Sequence, residues 1–272
     1  MNPTSGYTRG LPRLHYRVQE PSHGGRPGQT FVLAHALGCD LSMWDELAGH
    51  LAQHGRVVLY DQRGHGASAA PPGPYTMAQL ADDAAGLIDE LRLGPVTWIG
   101  LSMGGMVGQE LALRHPGRVR ALALANTTSA YPEEARAGWA QRIAGIEAGG
   151  LEAIVDGALQ RWFHEGFHAA HPEAVAHWRR RVLACDAAGY VACCHAIAGV
   201  DTTARLPRIA VPTLVIAGAL DQGTPPEMAA TIARAVPGAR LVVLPGASHL
   251  SVLEQPVAFR EALHDWLLAV PA

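Results

Sequence analysis

Val96-Thr97-Trp98-Ile99-Gly100-Leu101-Ser102-Met103-Gly104-Gly105-Met106-Val107-Gly108-Gln109-Glu110 is the stretch whose reading decides the fold. An apolar run, Val96–Ile99, meets G-L-S-M-G, and a helix-compatible run follows without a break. This is G-x-S-x-G set between a strand and a helix, the context the motif requires. The glycines answer crowding: a serine at the tip of such a turn has a strained backbone, and neighbours bearing a Cβ would collide there. The turn lifts Ser102 Oγ clear of the sheet. It also leaves the Met103 N–H at a helix N-terminus, where it can stabilise an oxyanion. Standing alone, the pentapeptide could equally be a glycine-rich helix start with an incidental serine. The rest of the chain must therefore supply a base, an acid and an oxyanion loop.

Upstream, Leu14, Tyr16 and Val18 alternate as in a strand or hairpin arm, and a Gly/Pro-rich turn covers 21–28. Thr30–Ala34 is a short apolar strand that runs into His35-Ala36-Leu37-Gly38. Ser42 is placed to cap the next helix, on which Trp44, Leu47 and Leu51 recur at three and four. Arg56–Tyr60 reads as a strand ending in D-Q-R-G-H-G, and Thr76 with Gln79 forms a capping box before a helix to about Leu91. Downstream of the elbow helix, which ends near Pro116, Val119–Ala125 is strand again. From there to about Ala204 only helical spacing appears (Trp139, Ile143, Ile146, Leu151, Ile154, Leu159). Strands resume at Val211–Ala217 and Leu241–Leu244, with helices after Pro225-Pro226 and from Pro256 to about Leu268.

Alternating strands and helices predict an α/β protein with a mostly parallel sheet covered on both faces. The helical block reads as a cap: residues 129–204 inserted into a core of 1–128 and 205–272.

Composition sets the outer limits. A chain of 272 residues, 49% hydrophobic, 17% charged and with a formal net charge of −3, implies a globular domain and gives no basic surface for nucleic acid. The first ten residues have no apolar core of signal-peptide length, and no run approaches a membrane span. Cys39, Cys185, Cys193 and Cys194 lack zinc spacing and are a poor disulfide framework, which fits a reducing cytoplasm.

In open α/β sheets ligands bind outside the carboxyl ends of the strands. Three polar residues lie in loops just after strands: Ser102, Asp221 and His249. Their order is Ser, Asp, His. The loop after Val119–Ala125, another place for an acid, carries Asn126-Thr127-Thr128 and no carboxylate. A serine hydroxyl is a weak nucleophile until an imidazole removes its proton, the part expected of His249. Asp221 would fix the tautomer of His249 and stabilise the imidazolium. The second oxyanion donor should come from the loop after an early strand, which points to the Leu37 N–H.

His164-Glu165-Gly166-Phe167-His168 matches H-E-x-x-H, a zinc-protease helix motif. Gly166 weakens the helix that would have to face both histidines to one metal, and His171 does not complete the longer spacing. No metal and no organic cofactor is expected. Asp61 and Arg63 read as a loop-anchoring pair, and His35 as a residue that holds its own loop.

H-A-L-G-C-D-L-S-M-W, Y-D-Q-R-G-H-G-A-S, P-P-G-P-Y-T, G-L-S-M-G-G-M-V-G-Q and V-L-E-Q-P together resemble the 3-oxoadipate enol-lactonases, α/β-hydrolases of bacterial aromatic breakdown. The resemblance enters the cap at G-W-A-Q-R-I, R-W-F and G-Y-V-A-C-C, and so covers nearly the whole chain. It implies the α/β-hydrolase fold, Ser102 as nucleophile, Asp221 as acid, His249 as base, and Leu37 and Met103 as oxyanion donors. The implied substrate is a small enol-lactone opened through an acyl-enzyme. Its free carboxylate would need a cation, for which Arg142 and Arg161 are candidates, flanked by Trp139 and Trp162. Three departures stand out: Gln222-Gly223 after the acid, His164-Glu165-Gly166 in the cap, and Ala36 where many relatives have Ser.

The competing readings are a carboxylesterase or lactonase for another small ester, a non-catalytic receptor that keeps the triad, and a zinc hydrolase. All take a small molecule; nucleic acid and membrane are not expected partners, and a homo-oligomer remains compatible with the sequence.

Overall fold

Thr30–Ala34 (β3) runs parallel to Arg56–Tyr60 (β4) on one side, with all five residues in register, and to Val96–Leu101 (β5) on the other, with Phe31 to Ala34 in register, and all of β3 and β5 is buried. Strands buried on both faces need side chains that are mostly apolar, and T-F-V-L-A and V-T-W-I-G-L provide them, with Thr30 and Thr97 the polar exceptions. The computed structural model describes residues 3–21 and 29–270. Around this centre the sheet has the order β1-β2-β4-β3-β5-β6-β7-β8. The outer strands are Thr4–Tyr7 (β1), His15–Gln19 (β2), Val119–Ala125 (β6), Thr213–Gly218 (β7) and Arg240–Leu244 (β8). The β1/β2 and β2/β4 pairings are antiparallel and all others are parallel.

The core helices are Asp45–Leu51 (α1), Met77–Glu90 (α2) and Met103–Arg114 (α3). Between β6 and β7 the chain is helical: Glu133–Gly149 (α4), Val155–Trp162 (α5), Glu165–Ala170 (α6), Pro172–Leu183 (α7) and Ala187–Ala198 (α8). Pro226–Ala235 (α9), Ser251–Glu254 (α10) and Pro256–Ala269 (α11) complete the core. This is the α/β-hydrolase fold with a helical insertion, α4–α8. The two ends of the insertion meet where Ala130 bridges Asp201 and Thr202 N–H donates to Ser129 O at 2.8 Å.

Several expected boundaries hold to the residue. Thr76 and Gln79 exchange the two hydrogen bonds of a capping box, and β4 and β6 span the expected ranges. Other expectations are corrected. Asp40, not Ser42, caps the segment after β3: its carboxylate accepts from Ser42 N–H at 2.9 Å, and a 3-10 turn, Leu41–Trp44, precedes α1. Asp40 stands at the N-cap of that turn with extended backbone, where its carboxylate can accept a free N–H of the first turn. The expected turn over 21–28 lies, beyond Pro21, outside the described residues. Among the described residues no single helix is long and apolar enough to cross a membrane.

Candidate active site

Ser102 follows β5 and caps α3 with φ 55° and ψ −115°, a left-handed conformation that is strained for a residue with a side chain. Close packing imposes it. A Cβ on Gly100 would run into the Gly104 carbonyl, and one on Gly104 into the Ala34 carbonyl of β3. The first turn of α3 can therefore lie flat against the sheet only with glycine at both places. Ser102 N–H is tied to Ala125 O at 2.9 Å, and its carbonyl accepts from Thr127 Oγ1 at 2.8 Å as well as from Gly105 and Met106 N–H. The backbone is fixed on both sides, and Met103 N–H is one of the donors that a helix start leaves over.

His249 lies after β8, and its Nδ1 is 2.8 Å from Asp221 Oδ2, after β7. An ionised carboxylate only accepts, so Nδ1 carries the proton and Nε2 is free to take one. Asp221 is held by five donors. Oδ2 accepts from His249, Thr224 Oγ1 (2.8 Å) and Asn126 Nδ2 (3.0 Å), and Oδ1 from the N–H groups of Gly223 (2.8 Å) and Thr224 (3.0 Å). Burial alone would push this carboxyl up. The His249 charge and these hydrogen bonds outweigh burial and leave it below the usual carboxylate range.

Two supporting residues escaped the sequence reading. Asn126, with φ 45°, donates to Asp221 and to Ser248 O (3.0 Å) while accepting from Ser251 Oγ (2.5 Å). The N-T-T loop was read only for its lack of an acid, yet it supplies the amide that holds one. Glu254, in α10, accepts from Ser248 N–H (2.5 Å) and from His164 N–H (2.9 Å), so one carboxylate ties the His249 loop to the insertion. Burial raises its pKa, and those two N–H groups pull it back.

The N–H groups of the loop after β3 can be accounted for one by one. Cys39 N–H goes to Ala36 O (3.1 Å) and Gly38 N–H to His65 Nε2 (2.9 Å). His35 Nδ1–H also donates to Ala36 O, at 2.8 Å. Leu37 N–H, at the opposite end of the Ala36 peptide, points the other way. Asp61 and Arg63 both anchor loops but do not pair with each other. Asp61 accepts from Leu41 N–H (2.8 Å) and Ala67 N–H (2.9 Å), whereas Arg63 pairs with Asp83 on α2 (2.5 Å).

Leu37, Ser102 and His249 line one cavity of about 540 Å³, roofed by Trp139, Arg142, Arg161 and Trp162 of the insertion. Asp221 stands behind His249. Among the described residues neither Arg142 nor Arg161 has a carboxylate within 4 Å. Arg142 lies over the Trp139 ring at 4.8 Å, and the Arg161 pKa is lowered by burial and then by the Arg142 charge. Two uncompensated cations facing one small cavity are a place for an anion. Gly223, one of the departures after the acid, also lines it.

His164 and His168 lie elsewhere, on a groove that adjoins Gln222. His164 sits before α6 and caps it, its Nδ1 accepting from Phe167 N–H (3.3 Å), while His168 Nε2 meets Leu159 O (3.2 Å). The two rings thus do not share a helix face. Among the described residues no three His, Cys, Asp or Glu side chains group as metal ligands.

Residues 31–262 match a family model described as the alpha/beta hydrolase family. The 3-oxoadipate enol-lactonase 2 of Acinetobacter baylyi is 39% identical over 234 residues, 86% of each chain. Among solved structures, an enol-lactonase from Burkholderia xenovorans LB400 is 38% identical with a TM-score of 0.91, covering 97% of this chain and 100% of that one. A thermophilic esterase from Thermogutta terrifontis, solved with malate bound, is 30% identical with a TM-score of 0.88 over the full length of both.

Proposed function

The chain belongs to the alpha/beta hydrolase family and is a homologue of the 3-oxoadipate enol-lactonases, and from that premise we propose that it is a serine hydrolase of small anionic enol-lactones. The observation that carries the reading is the pairing of Arg142 and Arg161, without carboxylate partners, over the cavity that holds Ser102 and His249. A lactone carrying a carboxymethyl arm fits it. Burying that carboxylate without donors would cost several kcal/mol, and the two guanidinium groups supply donors and charge.

In this mechanism His249 Nε2 takes the Ser102 proton as Oγ attacks the lactone carbonyl carbon. The resulting oxyanion lies between the Leu37 and Met103 N–H groups. The ring C–O bond then breaks, and the electron pair leaves on an enolate oxygen. An enolate is far less basic than an alkoxide, so it leaves with little acid assistance; it then takes the proton held by His249, which gives the ketone and returns His249 to its neutral form. Water, losing a proton to His249, attacks the acyl-enzyme carbonyl; the bond to Ser102 Oγ breaks, His249 returns the proton to that oxygen, and 3-oxoadipate is released. Asp221 keeps the Nδ1 proton in place throughout. Residues 129–204 act here as a cap that brings the anion site over the nucleophile.

The test follows disappearance of 3-oxoadipate enol-lactone beside simple p-nitrophenyl esters and unrelated lactones. A preference in kcat/KM of roughly tenfold or more for the anionic enol-lactone is expected, the scale of one charge-assisted hydrogen bond. The second reading, an esterase for another small ester, has the similarity to the Thermogutta esterase and the altered wall at Gly223 in its favour. Neutral esters turned over as well as or better than the enol-lactone would decide for it.

A further inference from the structure

The loop 35–39 and the turn 61–66 exchange histidines. His35, in the loop, accepts the Gln62 N–H of the turn on Nε2 (2.9 Å), and Gln62 Nε2 donates back to His35 O (2.6 Å). His65, in the turn, accepts the Gly38 N–H of the loop on Nε2 (2.9 Å). The two rings lie 5.2 Å apart, and both are fully buried. His35 fixes the Ala36–Leu37 peptide through its carbonyl. The next peptide, Leu37–Gly38, ends in a glycine with φ 76°, where rotation meets little steric resistance. Only the bond to His65 holds its N–H.

We propose that His65 is a positioning residue of the oxyanion site: by taking up the Gly38 N–H it pins the chain on the C-terminal side of Leu37, while His35 holds the Ala36–Leu37 peptide on the other side, so that Leu37 cannot shift and its N–H stays directed into the cavity. The inference rests on the serine-hydrolase reading above and adds to it a side chain that never touches substrate. The chemistry requires a neutral imidazole. An N–H can only donate, so Nε2 must be bare and the ring proton must sit on Nδ1, where it faces Arg63 O at 3.4 Å. Burial first, and the neighbouring His35 second, push the His65 pKa down to about 3, so the ring keeps this form at working pH. Helix α8 closes the arrangement from above. The Tyr190 ring lies 6.2 Å from His65, Cys193 Sγ approaches Nδ1 at 3.9 Å, and Gly64 meets Gly189 so closely that a Cβ would fall 2.9 Å from its Cα.

The experiment compares His65→Leu, which keeps bulk but has no acceptor, with His65→Gln, whose amide oxygen reaches the place of Nε2. Both are assayed on p-nitrophenyl acetate and titrated with a phenylboronic acid as a tetrahedral analogue. His65→Leu should lose about 10- to 100-fold in kcat with KM changed less than about threefold, and boronate affinity should fall in parallel. His65→Gln should recover kcat to within about fivefold of wild type. The inference is overturned if His65→Leu keeps kcat within about threefold. It is equally overturned if both variants lose Tm, KM and kcat together, the mark of a merely structural histidine. Ser102→Ala in the same assay separates the two levels: if it stays active, the serine-hydrolase reading fails whatever His65 does.

Discussion

Helices α3 and α4 border the same cavity and are built on opposite terms. In α3 the eleven residues Met103–Leu113 are buried, and its glycines press on the Ala34 backbone, Thr127 and the Trp98 ring. In α4, seventeen residues long, Ile143 and Ile146 are buried, and Gly138 has nothing within 4 Å of where a Cβ would stand. The first helix begins at Ser102 and carries the Met103 N–H. The second carries Trp139 and Arg142. On the proposed function, the reacting groups would thus sit on an element with no freedom to shift, and the groups proposed to sort substrates on one with room to change. A displacement of an ångström is ruinous for the reacting groups and tolerable for the sorting groups.

The sharpest break in that comparison is Ser102→Ala. Activity on any accepted ester should fall by roughly three or more powers of ten. The fold should be unaffected, because Ser102 Oγ faces the cavity and its backbone bonds remain. Steady-state rates together with a thermal melt check both halves. A variant retaining a tenth of the wild-type rate would remove the covalent mechanism and with it the rigid side of the contrast.

Gly104→Ala tests rigidity without touching the nucleophile. Its Cβ would enter the Ala34 carbonyl, a backbone atom in the central strand that has nowhere to go. Overpacking of this kind should cost about 3 kcal/mol or leave the chain insoluble. Urea denaturation measures it. A loss below about 1 kcal/mol would show that the elbow can relax, contrary to the packing argument.

Arg142→Met tests the other helix. Against the anionic enol-lactone it should cost about 1.5–3 kcal/mol in kcat/KM, the range for a charge-assisted hydrogen bond. Against p-nitrophenyl acetate, which has no carboxylate to hold, the change should stay under about threefold. Equal losses on both substrates would mean that the mutation disturbs the insertion or the triad. No loss on either would leave Arg161 as the anion site.

What the sequence made legible follows the same division. β4 and β6 could be delimited to the residue because strands buried along most of their length are written as largely apolar runs, here V-V-L-Y and A-L-A-L-A. Ser102 and Asp221 could be picked out because each follows a fully buried run, and His249 because it follows the short apolar L-V-V-L of β8, an exposed edge strand. Interactions between loops left no such trace. Asn126 reaches Asp221 across 95 positions, and His65 reaches Gly38 across 27, so neither bond has a local pattern. The pairing of Arg63 with Asp83 instead of Asp61 was hidden for the same reason. β1 was faint because T-S-G-Y is an edge strand whose residues are mostly exposed, and no apolar alternation marks it. Arg142 and Arg161 were placed together by their motifs, but only the fold shows that both turn to the cavity.

The smallest effect gives the comparison its sign. Gly138 lies inside α4, at the cavity wall, with open space where a side chain would begin. Glycine in a helix interior is less favourable than alanine because the unfolded chain has more freedom to lose. Gly138→Ala should therefore stabilise the protein by about 0.5–1 kcal/mol, where the same substitution at Gly104 destabilises it. The added methyl reaches into the cavity near Trp139 without meeting Ser102 or His249. Turnover of p-nitrophenyl acetate should accordingly stay within about twofold of wild type. Urea denaturation of the two alanine variants side by side is the measurement. A loss of stability at Gly138 matching that at Gly104 would mean that α4 is packed as tightly as α3. Selectivity would then rest on a wall as unyielding as the nucleophile's.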